Sequence, residues 1–212
     1  MRIRTFHEED RPALRELATR AAQGSPTETL WGHPESEAQI YLEPYMDHEP
    51  ESLFLAEADG VLVGYLTGCV DTAVFPSETR RIEDAIRTHR LILRPGPAAF
   101  FARSALDAAG AALRRAPTAG EIHDQRWPAH LHINVAPEGR GTGAADGLMD
   151  QWFERLRSLG SPGCHLQTVV ENTRAVRFFE RMGFTPHGPA PVVPGMRYLG
   201  GRVHQRTMVR SC

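Results

Sequence analysis

Apolar and polar residues alternate along several short stretches of the chain, and this period of two predicts β-strands. Residues 2–6 show the alternation, and the pair Asp59-Gly60 separates two apolar runs at 53–58 and 61–66. An Asp-Gly pair between two such runs is a strong signal of a β-hairpin. Later stretches with strand character are 130–135, 164–170 and 203–209. The chain is therefore predicted to form a sheet whose strands are spread over the whole sequence.

A second period, with apolar residues three or four positions apart, predicts amphipathic helices between these strands. Leu14, Leu17 and Ala21 follow it, and this helix is predicted to end near Gly24-Ser25-Pro26. The other predicted helices are a short one within 38–45, then 82–93, 98–113, 148–159 and 173–182, the last stopped by Gly183. Strands that alternate with helices indicate the α/β class.

The segment from about 71 to 127 breaks the rhythm of the strands and contains two of the predicted helices. Because strands of one sheet flank it, we interpret it as a helical insertion and expect residues 1–212 to form a single domain. A connection of this length without regular structure is improbable in a compact domain. We expect the insertion to lie beside the functional cleft and to shape access to it, since loops on a rigid scaffold often carry specificity.

Composition excludes several classes of protein. The 212 residues carry 24 basic and 26 acidic side chains, a net charge of −2, which argues against binding to nucleic acid or to a membrane surface. All the basic residues other than histidine are arginines, a bias typical of GC-rich genomes. The three cysteines lie far apart and fit reduced thiols in the cytoplasm, with no metal-binding pair. No apolar run approaches the roughly 20 residues that span a bilayer.

A glycine-rich segment, residues 140–145, stands between a predicted strand and a predicted helix. Small residues let a ligand approach the backbone, and the first N–H groups of a helix have no partner within it. The segment is therefore interpreted as a cradle for a pyrophosphate group. One alternative is a turn that is merely tight. Another is a dinucleotide site, although Asp146 occupies the third glycine position of that motif.

A second segment, 171–184, stands at the next strand-to-helix junction, and together the two segments resemble the signatures of the GNAT acetyltransferase superfamily. The first signature, Arg/Gln-x-x-Gly-x-Gly/Ala, corresponds to Arg140, Gly141, Thr142, Gly143, Ala144 and Ala145. The second corresponds to Asn172, Ala175, Phe178, Phe179, Glu180, Gly183 and Phe184. The resemblance implies an enzyme that transfers an acetyl group from acetyl-CoA to a primary amine of a small molecule, peptide or protein.

Other positions suggest a narrower likeness. The chain is similar to the acetyltransferase-like domain at the end of animal O-GlcNAcases and to its free-standing bacterial relatives. This likeness rests on Pro44-Tyr45, Gly64-Tyr65, Gly68, Asp71-Thr72, Phe75 and residues 127–133. It implies a bacterial, cytoplasmic protein. The animal domain has a degraded cofactor loop, whereas the loop here is intact, and this favours binding of acetyl-CoA.

The superfamily resemblance also implies a fold and a set of ligand contacts. The fold is a mixed, mostly antiparallel, twisted sheet, splayed between the cofactor strand 130–135 and the strand 164–170, with helices on both faces. It also implies that acetyl-CoA is the cosubstrate and that no metal is required, and it allows a homodimer. The residues predicted to bind acetyl-CoA are Ile133, Asn134, Val135, Arg140, Gly141, Thr142, Gly143, Ala144, Ala145, Asn172, Phe178 and Phe179.

The catalytic candidates are His132, Asp71 and Asn134. His130, His132 and Asn134 share one face of the cofactor strand, because side chains alternate along a strand. His132 is the predicted base, with an unperturbed pKa of about 6.5, and Asp71 after the preceding strand is the rival. Relatives often carry a carboxylate on this strand, a role that Asn134 cannot fill. The alternatives are a hydrogen-bonded sheet histidine and an aspartate that caps a turn.

Phe179 stands where many family members place a tyrosine that protonates the departing thiolate. Since a thiol of pKa about 8.5 can leave as thiolate at pH 7 at a cost of about 2 kcal/mol, the missing phenol should slow transfer without abolishing it. Phe179 and Asn134 together support a second hypothesis. In that hypothesis the chain is a noncatalytic module that binds acetyl-CoA or another protein.

Overall fold

The computed structural model describes residues 1–24 and 30–212. Its strands are β1 Arg2–Thr5, β2 Leu53–Ala58, β3 Val61–Cys69, β4 Ala129–Val135, β5 Gly163–Val169, β6 Thr185–Pro186, β7 Val192–Tyr198 and β8 Gly201–Ser211. Its helices are α1 Arg11–Ala22, α2 Pro34–Tyr41, α3 Glu43–His48, α4 Glu78–His89, α5 Pro95–Leu113, α6 Ala144–Ser158 and α7 Thr173–Arg181. The strands form one mixed sheet in the order β1-β2-β3-β4-β5-β8-β6, with β7 paired to β8. The predicted α/β fold is confirmed.

The predicted hairpin is present as β2 and β3. Asp59 and Gly60 both have left-handed backbones, with φ of 51° and 80°, as a two-residue turn between right-twisted strands requires. β3 continues beyond the predicted end and reaches Cys69. The helix predicted to end near Gly24-Ser25-Pro26 ends at Ala22, while Ser25 and Pro26 lie outside the described residues.

The sheet opens between β4 and β5, which form the parallel pair among the described strands. They are joined at two positions, Ala129 with Cys164 and His130 with His165. Beyond these positions β4 pairs with β3, and β5 pairs with β8. Two strand edges that face each other are thus left without a partner strand. The predicted splay is confirmed.

Helices cover both faces of the sheet, also as predicted. On one face α6 and α7 bury Leu148, Trp152 and Phe179 against Leu131. On the other face α1 and α3 bury Leu14, Leu17 and Tyr45 against Leu55 and Tyr65. β4 is shared by both layers, because its successive side chains point to opposite faces. A residue on β4 therefore contacts either the α6 layer or the α1 and α3 layer.

The segment from 71 to 127 forms α4 and α5, close to the predicted positions. A small core of Ile40, Ala85 and Leu91 joins α4 to α2, with Phe100 and Phe101 of α5 packed against it. The segment thus packs on its neighbours rather than standing apart, although the extent of a single domain over 1–212 stays a prediction. No helix among residues 1–24 and 30–212 is long and apolar enough to cross a membrane.

Substitution of Gly68 should test the packing of α6 on the sheet. A Cβ at Gly68 would lie 2.2 Å from Cζ3 of Trp152, whose indole is fully buried. We expect Gly68→Ala to lower the free energy of unfolding by about 1–3 kcal/mol, the usual cost of overpacking a core. Gly120→Ala is the matched control, since no atom lies within 4 Å of a Cβ there. Urea denaturation of both variants measures the difference, and equal stability would contradict this account.

Candidate active site

The glycine-rich segment forms the turn that leads from β4 into α6. Gly141 and Gly143 have left-handed φ of 77° and 86°, a conformation that glycine adopts without steric cost. A Cβ built at either position meets no atom within 4 Å, so the space above both is open. The turn therefore presents bare backbone to whatever occupies that space.

Six consecutive amides in this turn, from 141 to 146, have no hydrogen-bond acceptor among the described residues. The next amide, that of Gly147, donates to the carbonyl of Gly143 at 3.0 Å and starts the α6 ladder. Unpaired N–H groups at a helix start carry partial positive charge, which the helix dipole reinforces. The turn therefore has the backbone geometry that suits an anion such as a phosphate group.

The turn is fixed on the sheet by close contacts. A Cβ at Gly139 would lie 2.8 Å from the carbonyl oxygen of Val63 and 2.9 Å from Val135, so only glycine fits without a shift. The hydroxyl of Thr142 donates to the carbonyl of Gly139 at 2.7 Å and closes the turn. Thr142 thus shapes the loop through its side chain.

A cleft of about 540 Å³ extends from this turn along β4 to α7. It is lined by eleven of the twelve residues predicted to bind acetyl-CoA: Ile133, Asn134, Val135, Arg140, Gly141, Gly143, Ala144, Ala145, Asn172, Phe178 and Phe179. Thr142 is the exception and does not line the cleft. The structure brings the predicted set together, while its role in binding stays a prediction.

Arginines that the sequence analysis did not select surround the cleft. Arg174 and Arg177 line it from α7, are exposed, and have no ion-pair partner among the described residues. Arg181, on the same helix, pairs with Asp146 at 3.1 Å. The spacing of 174, 177 and 181 places all three on one helix face. That spacing was the available signal, and it was missed because arginine abundance was attributed to genome composition.

Arg140 of the glycine-rich turn also lines the cleft. Its Nη2 donates to the carbonyl of Gln23 at 3.2 Å, while its buried Nε has no partner among the described residues. Burial, with a smaller contribution from Arg174, lowers the pKa of the Arg140 guanidinium. A partly desolvated cation beside a second cation is unfavourable unless an anion approaches. The electrostatics of the cleft thus match the anion-binding geometry of its backbone.

The second signature segment contributes the opposite wall. Asn172 caps α7, since its Oδ1 accepts from the amide of Ala175 at 3.2 Å. Phe179 is buried against Phe184, whereas Phe178 is half-buried and has the Arg181 guanidinium 5.2 Å from its ring. The phenyl ring of Phe179 offers no proton donor at this wall.

A second, smaller cavity of about 60 Å³ lies where β4 and β5 part. Its walls include His130, His132 and His165, together with Tyr41 and Tyr45. The insertion supplies four further lining residues, namely Thr72, Glu78, Arg81 and Glu121. The insertion therefore contributes to the smaller cavity, while its predicted role in shaping access to the functional cleft stays a prediction.

His132 lies in this smaller cavity rather than in the larger cleft. Its Nε2 is 3.0 Å from the hydroxyl of Tyr45, which also lies 2.8 Å from Nε2 of His130. Burial lowers the pKa of His132 to about 4, with smaller contributions from Arg81 and His165. The pKa of His132 in the folded protein thus lies below the unperturbed value near 6.5, because desolvation disfavours the imidazolium. At neutral pH His132 carries a free lone pair.

The other two catalytic candidates are placed differently. Asp71 accepts from the amide of Ala73 at 2.9 Å, as a residue that caps a turn does, and it lines neither cavity. Asn134 lines the larger cleft, and its Nδ2 donates to the hydroxyl of Tyr65 at 3.0 Å. Their catalytic roles stay predictions.

Comparison with known families decides the class of the chain. The sequence profile described as the Acetyltransferase (GNAT) family matches residues 11–184. The chain belongs to the GNAT acetyltransferase family. Among curated proteins, this GNAT chain is similar to the mycothiol acetyltransferase of Nocardiopsis dassonvillei, with 28% identity over 159 residues. The match covers 71% of the chain but 44% of that protein, so it spans less than half the length of this relative.

Solved structures share the GNAT fold. The crystal structure of SsHAT has a TM-score of 0.63 and 23% identity and covers 99% of this chain and 97% of its own. The structure of yncA, a putative acetyltransferase from Salmonella typhimurium with its cofactor acetyl-CoA, has a TM-score of 0.59 and 16% identity, with coverage of 99% and 92%. The narrower likeness to O-GlcNAcase domains stays a prediction.

The glycine turn provides a direct test of acetyl-CoA binding. We expect acetyl-CoA at 100 times its dissociation constant to stabilise the protein by about 2.7 kcal/mol. Gly143→Asp should abolish this stabilisation, because a carboxylate would then occupy the anion site. Thermal unfolding with and without acetyl-CoA measures it.

The matched control is Gly160→Asp, at the other end of α6. Gly160 also has a left-handed backbone, with φ of 65°, and no atom within 4 Å of a Cβ. This control carries the same strain and charge far from the turn, and it should keep the full response to acetyl-CoA. A response retained by Gly143→Asp, or lost by both variants, would contradict the assignment.

The buried histidines predict how stability depends on pH. His130 and His132 both have a pKa lowered by burial, so the unfolded chain binds more protons than the folded one below about pH 6.5. Stability should therefore be level above pH 7 and fall as the pH drops from about 6.5 towards 4. Urea denaturation across this range measures the slope. His132→Gln should reduce the slope but not abolish it, since His130 remains, whereas His7→Gln, at an exposed position, should leave it unchanged.

Proposed function

We propose that the chain transfers the acetyl group of acetyl-CoA to a primary amine. The observation that carries this proposal is the row of unpaired amides at 141–146, which continues into the opening between β4 and β5. A pyrophosphate bound at the turn would place the rest of the molecule along that opening. The exposed Arg174 and Arg177 would meet the remaining negative charge.

The unpaired strand edges support the same placement. Within the described part of the chain, residues 131–135 of β4 pair with no strand on the side that faces β5, which leaves this strand edge open. An extended molecule with amide groups, such as the pantetheine arm of acetyl-CoA, can bond to a free strand edge as a further strand does. The acetyl end would then lie near the parting of the strands, beside the smaller cavity.

The charge of the smaller cavity supports a cationic acceptor. Glu78 and Glu121 line it together with a single arginine, Arg81. Glu121 accepts from both the Arg81 guanidinium, at 3.4 Å, and the amide of Glu78, at 3.0 Å. The Glu78 carboxylate accepts from the Tyr41 hydroxyl at 2.8 Å and has no paired cation among the described residues, which favours a ligand with an ammonium or amine group. A small amine or the side chain of a peptide fits this description.

The proposed proton acceptor is His132, since it lies at the parting of the strands and is unprotonated at neutral pH. Phe179 provides no acid for the thiolate. Because the thiol of CoA has a pKa near 8.5, its thiolate can leave without an acid at pH 7 at a cost of about 2 kcal/mol. We also propose that the protein is cytoplasmic, since Cys69, Cys164 and Cys212 are free thiols.

A noncatalytic module is the second candidate function. It is favoured by the burial of Phe179 against Phe184, which leaves the usual position of the thiolate acid apolar. Such a module would bind acetyl-CoA with the same turn and transfer nothing. Release of free CoA in the presence of amines separates the two candidates.

Turnover of the variants tests the proposed reaction. With a responsive amine from a panel of polyamines, amino acids and peptides, we expect His132→Ala to lower kcat by about 10² or more, the usual share of a positioned base. The KM for acetyl-CoA should stay unchanged, because backbone groups hold that substrate. The wild-type rate should rise with pH towards the amine pKa of about 10.4, with no inflection near 6.5.

Asp71→Asn is the parallel variant and should keep near wild-type turnover, since its carboxylate caps a turn. A loss confined to Asp71→Asn would transfer the role of base to Asp71. Binding of acetyl-CoA without CoA release for any amine would favour the noncatalytic module.

A further inference from the structure

A chain of buried side chains connects His132 to the start of β4. Its members are His132, Tyr45, His130 and Thr72, and it ends on the carbonyl oxygen of Pro128. The successive distances between polar atoms are 3.0, 2.8, 2.7 and 2.7 Å, all within hydrogen-bond range. Tyr45, Thr72 and His130 are each less than 9% exposed. Water therefore has little access to the middle of the chain.

The direction of every bond in this chain follows from its last member. A carbonyl oxygen cannot donate, so the 2.7 Å contact between Thr72 Oγ1 and Pro128 O requires the hydroxyl hydrogen of Thr72 between them. The hydroxyl has no second hydrogen. Nδ1 of His130, 2.7 Å from the same Oγ1, must therefore donate.

The same reasoning passes along the chain to His132. A neutral His130 with its proton on Nδ1 has a lone pair on Nε2, so the hydroxyl of Tyr45 donates to it. The Tyr45 oxygen then accepts from Nε2 of His132. Burial lowers the pKa of both imidazoles, which keeps them neutral and the chain consistent. Nδ1 of His132 is left without a proton.

This Nδ1 is available to a ligand. It has no hydrogen-bond partner among the described residues, and His132 lines the smaller cavity. We infer that Nδ1 of His132 accepts the proton of the attacking amine, and that Tyr45, His130 and Thr72 are positioning residues that hold the proton of His132 on Nε2. This inference rests on the proposed acetyl transfer.

The proton balance of the step is complete. The amine nitrogen forms its bond to the thioester carbon, the C–S bond breaks, and the N–H proton moves to Nδ1. His132 is then an imidazolium in a site that disfavours its charge, so it gives up its proton more readily than an exposed imidazolium. It returns the proton to the departing thiolate or to water. One residue thus serves both ends of the reaction in a site where Phe179 supplies no acid.

The tautomers can be measured directly and without any activity. In protein labelled with 15N-histidine, long-range proton–nitrogen correlation spectra at pH 7 distinguish the two neutral forms. We expect His132 as the Nε2–H form and His130 as the Nδ1–H form. His165 is an internal reference, since its Nδ1 lies 2.8 Å from the carbonyl of Trp127 and must carry a proton. Signals are assigned from those missing in single His→Gln variants.

Removal of one hydroxyl tests whether the hydrogen-bond chain fixes the tautomers of His130 and His132. Thr72→Val keeps the shape of the side chain but frees the proton of His130, so the two imidazoles should lose their fixed tautomers. We expect kcat to fall about tenfold, the equivalent of one hydrogen bond, with KM for acetyl-CoA unchanged. Thr72→Ser should restore both tautomers and rate. Tyr45→Phe, which cuts the chain at another link, should free the tautomer of His132 and lower kcat similarly, while Thr72 still holds the proton of His130 on Nδ1.

Thr67→Val is the matched control. Thr67 is a buried threonine on β3, next to His132 in the sheet register, with no partner for its hydroxyl among the described residues. This variant should keep the tautomers and the turnover. A wild-type His132 with its proton on Nδ1, or tautomers unchanged in both Thr72→Val and Tyr45→Phe, would overturn the inference. If the expected tautomers are observed but no amine releases CoA, the proposed transfer is refuted, while the fixing of the tautomers by the hydrogen-bond chain still stands.

Discussion

The structure depends on one feature of its sheet, the separation of β4 from β5 after only two matched positions among the described residues. The strands are held together at their starts, where Ala129 pairs with Cys164 and His130 with His165. Gly163 begins β5 in a tight space between β8 and Trp127, because a Cβ there would lie 2.6 Å from the carbonyl of Arg210 and 2.8 Å from Trp127. Beyond the junction, unpaired backbone groups would be costly in a closed core. They are tolerated because they border an open cleft.

The functional groups of β4 differ between its two ends and between its two faces. Its far end leads into the glycine turn, where free amides gather at the start of α6. Its near end carries the histidines of the smaller cavity. Ile133 and Val135 pack towards α6, whereas His132 and Asn134 reach the phenols of Tyr45 and Tyr65. A single strand thus places an anion site and a proton acceptor a few residues apart, which rigid positioning on a strand makes possible.

Much of this arrangement was predictable from sequence, and the failures have physical causes. Three sequence features located the cleft: the alternation on β4, the glycine-rich turn before α6 and Asn172 at the start of α7. Each depends on residues that are close together in the sequence. The lowered pKa of His132 and the contact between Tyr45 and both histidines were not predictable, since Tyr45 is more than eighty positions away in sequence. The arginines of α7 were visible at helical spacing, yet composition gave no reason to select them until the helix was placed against the turn.

The hydrogen-bond chain explains why a histidine with a depressed pKa suits this position. A base of higher pKa would be protonated for part of the time at neutral pH, and its charge would face Arg81 in a cavity with little water. Burial removes that competition, and Tyr45 prevents the ring from presenting N–H instead of a lone pair. The cost is a weak base, which is offset because the resulting imidazolium gives up its proton readily. The absence of a phenol at Phe179 is consistent with this division of labour, since acid and base then share one ring.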